Sequence, residues 1–204
     1  MRQLRDVVIA LGSRLNPGLL GVLVLALNVY WLVILAVINR EFQGVTNGHP
    51  LLDLQNSLAP GEIITPAKVL EQLGDYTEAS RLIYWIFFVL DNIMPHLAFG
   101  SIALLWVYFW RSNPNRLYDW LLGGYAVLIP LGVGFFDRLE NLFYLVAIHA
   151  YPSPDTVWAV VVGLTFKWLK AACVYPSTLL LPVFLVYPRL RAIRRRTRRS
   201  LIGS

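Results

Sequence analysis

Four stretches of this chain, 18–38, 82–110, 120–148 and 157–187, are each long and apolar enough to cross the roughly 30 Å hydrocarbon layer of a bilayer, which takes about 20 helical residues. A chain in lipid must satisfy every backbone polar group internally, so such stretches can only be helices. Composition agrees. The 204 residues are 57% hydrophobic and 15% charged, where a soluble domain carries about 25% charged residues. The lone Cys173 excludes a disulfide framework. The fold class expected is all-α: an integral membrane four-helix bundle, one domain over 1–204, with a long structured outer loop between the first two helices.

Lys and Arg placement orients the chain. Arg2, Arg5 and Arg14 precede the first span, Arg111 and Arg116 follow the second, and seven arginines from Arg189 to Arg199 fill the tail, 188–204. The loop 39–81 instead carries Glu41, Asp53, Glu62, Glu71, Asp75 and Glu78 against Arg40, Lys68 and Arg81. Both termini are therefore expected in the cytoplasm of a multi-pass protein, in a bacterial inner membrane rather than the endoplasmic reticulum. The net charge of +6 reads as a membrane-surface signal, not a nucleic-acid one. Trp106, Trp110, Tyr118 and Trp120 are expected at the cytoplasmic interface, and Tyr84, Trp85, Tyr151 and Trp158 at the outer one. In the N-terminal segment, 1–17, Leu4, Val7, Val8, Leu11 and Leu15 recur at helical spacing, which suggests an interfacial helix.

The outer loop has its own punctuation. Gly44, Asn47-Gly48 and His49-Pro50 mark turns. Thr65-Pro66 starts a short helix that stops at Gly74, and Thr77 caps the second span. Asp53, Gln55 and Asp75 are candidate residues of a lid over the outer mouth of the bundle.

The most informative feature lies inside the spans. Asp91, Asp137, Arg138, Glu140, Lys167 and Lys170 are charged, and intramembrane charges face a bundle interior and need partners. At 1.5 Å per residue, Asp91 lies roughly 13 Å, Asp137 roughly 16 Å and Glu140 roughly 12 Å from the outer ends of their helices. Lys167 and Lys170 lie roughly 15 and 20 Å below the start of theirs. Three acids and three bases thus share one layer. Asp137, Glu140, Asn141 and Tyr144 form a stripe at i, i+3, i+4 and i+7, while Asn92 and His96 flank Asp91 on the second helix. These ten residues are the ligand-pocket candidates, and Asn28 and Tyr30 add polar groups from the first span. Pro95, Pro130, Pro176 and Pro182 each free a helical carbonyl. Gly123, Gly124, Gly132 and Gly134 suit close helix packing. The histidines His49, His96 and His149 are scattered and show no metal-ligand spacing, and no phosphate loop is present, so neither metal nor cofactor is expected. No catalytic residue is identified.

The motifs Leu52-Asp53-Leu54-Gln55 and Asp137-Arg138-Leu139-Glu140-Asn141 resemble those of bacterial four-span membrane proteins to which no activity attaches. Asp53-Leu54-Gln55, Asp75, and Asp91 ahead of Pro95 are also similar to the EXPERA family, the emopamil-binding protein and its relatives. That likeness implies a sterol or lipophilic-amine pocket, in some members with isomerase activity. Arg138, Lys167 and Lys170 depart from it, because they would neutralise the acids such a pocket offers to a cation.

The leading expectation is a pocket binding a lipid or small hydrophobic ligand, in a protein that serves as accessory subunit of a membrane complex. Its partners would be membrane lipids and other membrane protein subunits, with no nucleic acid. The alternatives are an EXPERA-type isomerase, a proton-linked transporter and a purely structural subunit. A binder or enzyme would show a cavity of about 300 Å³ or more at the acids.

Overall fold

The computed structural model describes residues 2–14, 16–55, 63–112, 119 and 125–202. Expectations for Leu15, Glu62, Arg116, Tyr118, Trp120, Gly123 and Gly124 fall outside them. All regular structure among the described residues is helical. The α-helices are α1 (Arg2–Gly12), α2 (Pro17–Gly44), α3 (Pro66–Gly74), α4 (Glu78–Asp91), α5 (Met94–Ser112), α6 (Ile129–Ala150) and α7 (Asp155–Ile202), with short 3-10 turns at Leu52–Leu54 and Ala126–Leu128.

Three helical stretches are long and apolar enough to span a membrane: Gly18–Gly44, Glu78–Ser112 and Asp155–Val183. Helix α6 has 22 residues, and at 1.5 Å per residue that is about 33 Å. It concentrates Asp137, Arg138 and Glu140 within one turn, and so is less apolar than the other three.

Local chemistry sets the ends. Asn16 caps α2 through its side-chain oxygen, with Pro17 in the first turn. Thr65 and Thr77 cap α3 and α4 in the same way, both at 3.3 Å. The second apolar stretch is not one continuous helix. It breaks at Asn92 and Ile93, because the ring of Pro95 clashes with the carbonyl four residues earlier, that of Asp91. The Asn92 side chain donates to the Phe88 carbonyl at 2.7 Å and covers part of the break. Helix α7 runs on through Pro176, Pro182 and Pro188 to Ile202, so the basic tail continues the helix of the last span.

The largest apolar core lies at the end where the 39–81 loop sits. Phe42, Leu51, Leu52, Val69, Tyr84, Phe87, Tyr144 and Ile148 are fully buried or nearly so. The loop is thus folded into the bundle as a strap. Leu51 N–H donates to Asn39 Oδ1 at 2.9 Å, and Gln72 Nε2 donates to the Pro50 carbonyl at 2.8 Å. Asn47 and Gly48 take positive φ, 51° and 88°, where the chain reverses.

Two aromatic assignments change. Tyr84 and Trp106 are fully buried rather than placed in interfacial belts, since both turn toward neighbouring helices. Trp85 and Trp158 are exposed. Tyr30 is also exposed and adds nothing polar to the interior. Helix α1 packs Val8 and Gly12 inward, Gly12 against Val107, while Leu4, Val7 and Leu11 stay exposed.

Candidate functional site: a charge layer beneath the strap

The site starts from helical spacing. Asp137, Glu140, Asn141 and Tyr144 occupy one face of α6 and all four are buried. Lys167 and Lys170 stand one turn apart on α7 and meet that face. The helices come close because Gly163, one turn before Lys167, lets the Tyr144 ring pack on the α7 backbone. A Cβ there would lie 2.9 Å from the ring. Gly132 does the same against Cys173.

Both ammoniums are fully committed. Lys167 Nζ donates to the Leu52 and Asp53 carbonyls, each at 2.8 Å, and to Glu140 Oε1 at 3.3 Å. Lys170 Nζ pairs with Asp137 Oδ1 at 3.0 Å, Glu140 Oε2 at 2.6 Å and the Asp53 carboxylate. An ammonium has three N–H donors, and each lysine meets three oxygens. Glu140 bridges the two lysines. Asp91 joins from α4, its carboxylate accepting from Asn141 Nδ2, which also reaches Asp137 Oδ2 at 3.5 Å.

Asp53 carries the largest departure from expectation. It is no lid residue standing over a mouth; the strap inserts its carboxylate and its carbonyl into the layer. Burial alone would raise its carboxyl, but the Lys170 and Lys167 ammoniums outweigh that and hold it below the usual carboxylate range. Gln55 bonds Gln72 and the Pro50 carbonyl, and so holds the strap to α3. Asp75 pairs with His49 at 3.0 Å nearer the surface, apart from the layer. Tyr76 accepts from Gln72 at 3.0 Å, and burial pushes its phenol well above the ordinary value.

Three pocket candidates sit elsewhere. Arg138 is exposed, because one residue beyond Asp137 turns about 100° around the helix and off the buried face. His96 is exposed at its outer edge and packs its ring on Gly134. Asn92 serves the α4–α5 break. The layer therefore holds four acids and two bases, not the balanced three and three. The Asp53, Asp137 and Glu140 carboxylate oxygens lie within 4.8 Å of one another, a spacing that suits a metal ion. Lys170 Nζ stands among them and already supplies the positive charge, so a metal would have to displace it. Helical spacing pairs Asp137 with Glu140 in the sequence, but Asp53 joins them from a distant segment that no spacing links to α6.

A cavity of about 510 Å³ lies at the other end of the bundle. Gly21, Leu25 and Asn28 of α2, Ile102 and Phe109 of α5 and Leu181 of α7 are among its lining residues. Ile102 is eleven residues beyond Asp91, roughly 16 Å along the helix. The polar side chains at its wall are turned inward on their own helices: Asn28 donates to the Val24 carbonyl at 2.7 Å and Thr178 to that of Val174 at 2.9 Å. Its volume suits a small ligand, and its surface suits hydrocarbon.

No family model, curated protein or solved structure matches this chain.

Proposed function

We propose that this chain is a four-span membrane protein, with both termini cytoplasmic, that holds a hydrocarbon chain of a membrane lipid between α2, α5 and α7. The 510 Å³ apolar cavity carries this reading. The sequence expectation of a lipid-binding bundle is kept, but the ligand is moved from the acids to the opposite half. The charge layer then acts as the brace that fixes α4, α6, α7 and the strap in register.

The basic extension of α7 supports a lipid of the cytoplasmic leaflet. Arg189 follows Leu181 by eight residues, roughly 12 Å of helix. Half a bilayer core is about 15 Å, so a lipid whose tail fills the cavity would place its headgroup near Arg189 and Arg191. Each such arginine attracts anionic lipid by about 1 kcal/mol. An isomerase of EXPERA type is less well supported, because its acids would have to face a ligand and here Asp53 is paired with Lys170, Asp75 with His49 and Asp91 with Asn141.

Gly21 gives the test. A Cβ built on it meets nothing within 4 Å, so a side chain has room to leave the backbone there, and Gly21→Phe puts an aromatic ring at the cavity wall. Native mass spectrometry of protein extracted in mild detergent should show bound phospholipid in the wild type and a loss of at least tenfold in Gly21→Phe. Equal lipid occupancy in both, or none in the wild type, would sink the reading.

A further inference from the structure

The charge layer holds more acid than base, and its lysines are already used. Lys170 faces Asp53, Asp137 and Glu140; Lys167 faces Glu140 and two strap carbonyls. Asp91 is 1% exposed, and among the described residues no lysine or arginine lies within ion-pairing distance of it. It shares one donor with Asp137: the Asn141 amide nitrogen reaches the Asp91 carboxylate and, at 3.5 Å, Asp137 Oδ2, which brings the two carboxyls together. Two ionised carboxylates repel and have no hydrogen to share, so carboxyls that meet in this way hold a proton between them. Burying an unpaired carboxylate costs so much that the group neutralises instead.

A second observation points the same way. Asn141 Oδ1 is buried beside the pair and has no donor, and the Tyr84 and Tyr144 hydroxyls, both fully buried on the faces that bear Asp91 and Glu140, also lack partners. Buried oxygens without partners are rare and mark a missing hydrogen or water.

We propose that Asp91 and Asp137 form a proton-binding site: the two carboxyls share at least one proton, held in place by Asn141, while Glu140 remains ionised between the two lysines. The site needs no added volume, which sets it apart from a metal. It is coupled to the strap through Lys170. With the proton on the pair, Asp137 draws less on that ammonium, and Asp53 and Glu140 hold it. Without the proton, Asp137 competes with Asp53 for the same ammonium. This inference concerns the strap end and stands whether or not a lipid fills the cavity at the other.

Infrared spectroscopy of the full chain in lipid nanodiscs tests it. The wild type at neutral pH should show a protonated-carboxyl C=O band that shifts in D₂O. Asp91→Asn, the neutral isostere, should lose that band, and Glu140→Gln should keep it. No band in the wild type overturns the proposal and needs no variant. A band that survives in both Asp91→Asn and Asp137→Asn, or disappears only in Glu140→Gln, also overturns it. So does stoichiometric Mn²⁺ binding that is abolished by Asp137→Asn in a protein lacking the band, because a cation would then occupy the acids.

Discussion

At the strap end, two lysines of α7 are held by oxygens from α6 and the strap, and aromatic side chains fill the remaining space. At the opposite end, α2, α5 and α7 line apolar space that none of the described side chains fills. The first region is polar, packed and intolerant; the second is apolar, open and adaptable. Two lysines, each held by three oxygens, fix one arrangement of α6, α7 and the strap. Hydrocarbon walls accept whatever apolar group fits. The difference teaches that in this bundle specificity of fold and capacity for a ligand are assigned to different halves.

The sharpest way to break this contrast is Lys170→Met. It leaves the Asp53 and Asp137 carboxylates with no ammonium and Glu140 with Lys167 alone, and removing one partner of a buried network costs about 3–5 kcal/mol. Thermal unfolding followed by size-exclusion chromatography should show the largest loss of any single substitution here. A Tm within a few degrees of wild type would mean that the layer is not a brace.

Acid should act on the strap next. The Asp53 carboxyl is held below its ordinary value of 3.8, so its contribution is fully present above that value. It is lost as pH falls through the lower, folded value. Limited proteolysis of the strap should therefore be flat from pH 7 to about 5 and accelerate only below about pH 3.8. Acceleration beginning near pH 6 would assign the latch to another group.

Two glycines sharpen the comparison with a smaller change. Gly163→Ala drives a methyl into the buried Tyr144 ring and should cost about 1–3 kcal/mol. Gly21→Ala meets nothing, and should gain about 0.5–1 kcal/mol from the stiffer unfolded chain. Equal effects in a denaturation series would erase the distinction between the halves. The smallest effect belongs to Arg138→Gln, which touches no buried partner and should stay within about 0.5 kcal/mol. A loss matching that of Lys170→Met would return Arg138 to the layer.

Three helices of membrane-spanning length and the α6 stripe are legible in the sequence, because apolar length and 3.6-residue periodicity are local properties. The same periodicity places Arg138 off the buried face, so a balance of charges along the sequence does not carry over to the layer. Asp53 was read as a lid because loop residues announce no depth; only the docking of Leu51 and Leu52 into the core carries its carboxylate to Lys170. Pro95 is visible as a breaker, but that the break follows directly on Asp91, where the acid meets Asn141, depends on packing between helices. The cavity was not legible at all. Its lining comes from three helices, and an empty volume is set by how far apart they stand rather than by any residue pattern.

The bond from Lys167 to the Leu52 carbonyl joins positions 115 residues apart. At a synthesis rate of about 5–20 residues per second, the strap exists for on the order of 10 s before its anchor has been made. Through that interval Leu52 and Asp53 lack the lysines that hold them, and the part of the core that α7 supplies, Ala159, Val160 and Leu164, is missing. The strap is thus among the last parts of the fold to close, and arrival of α7 is the event that closes it. A chaperone or protease that inspects this protein during its synthesis would find its opportunity there.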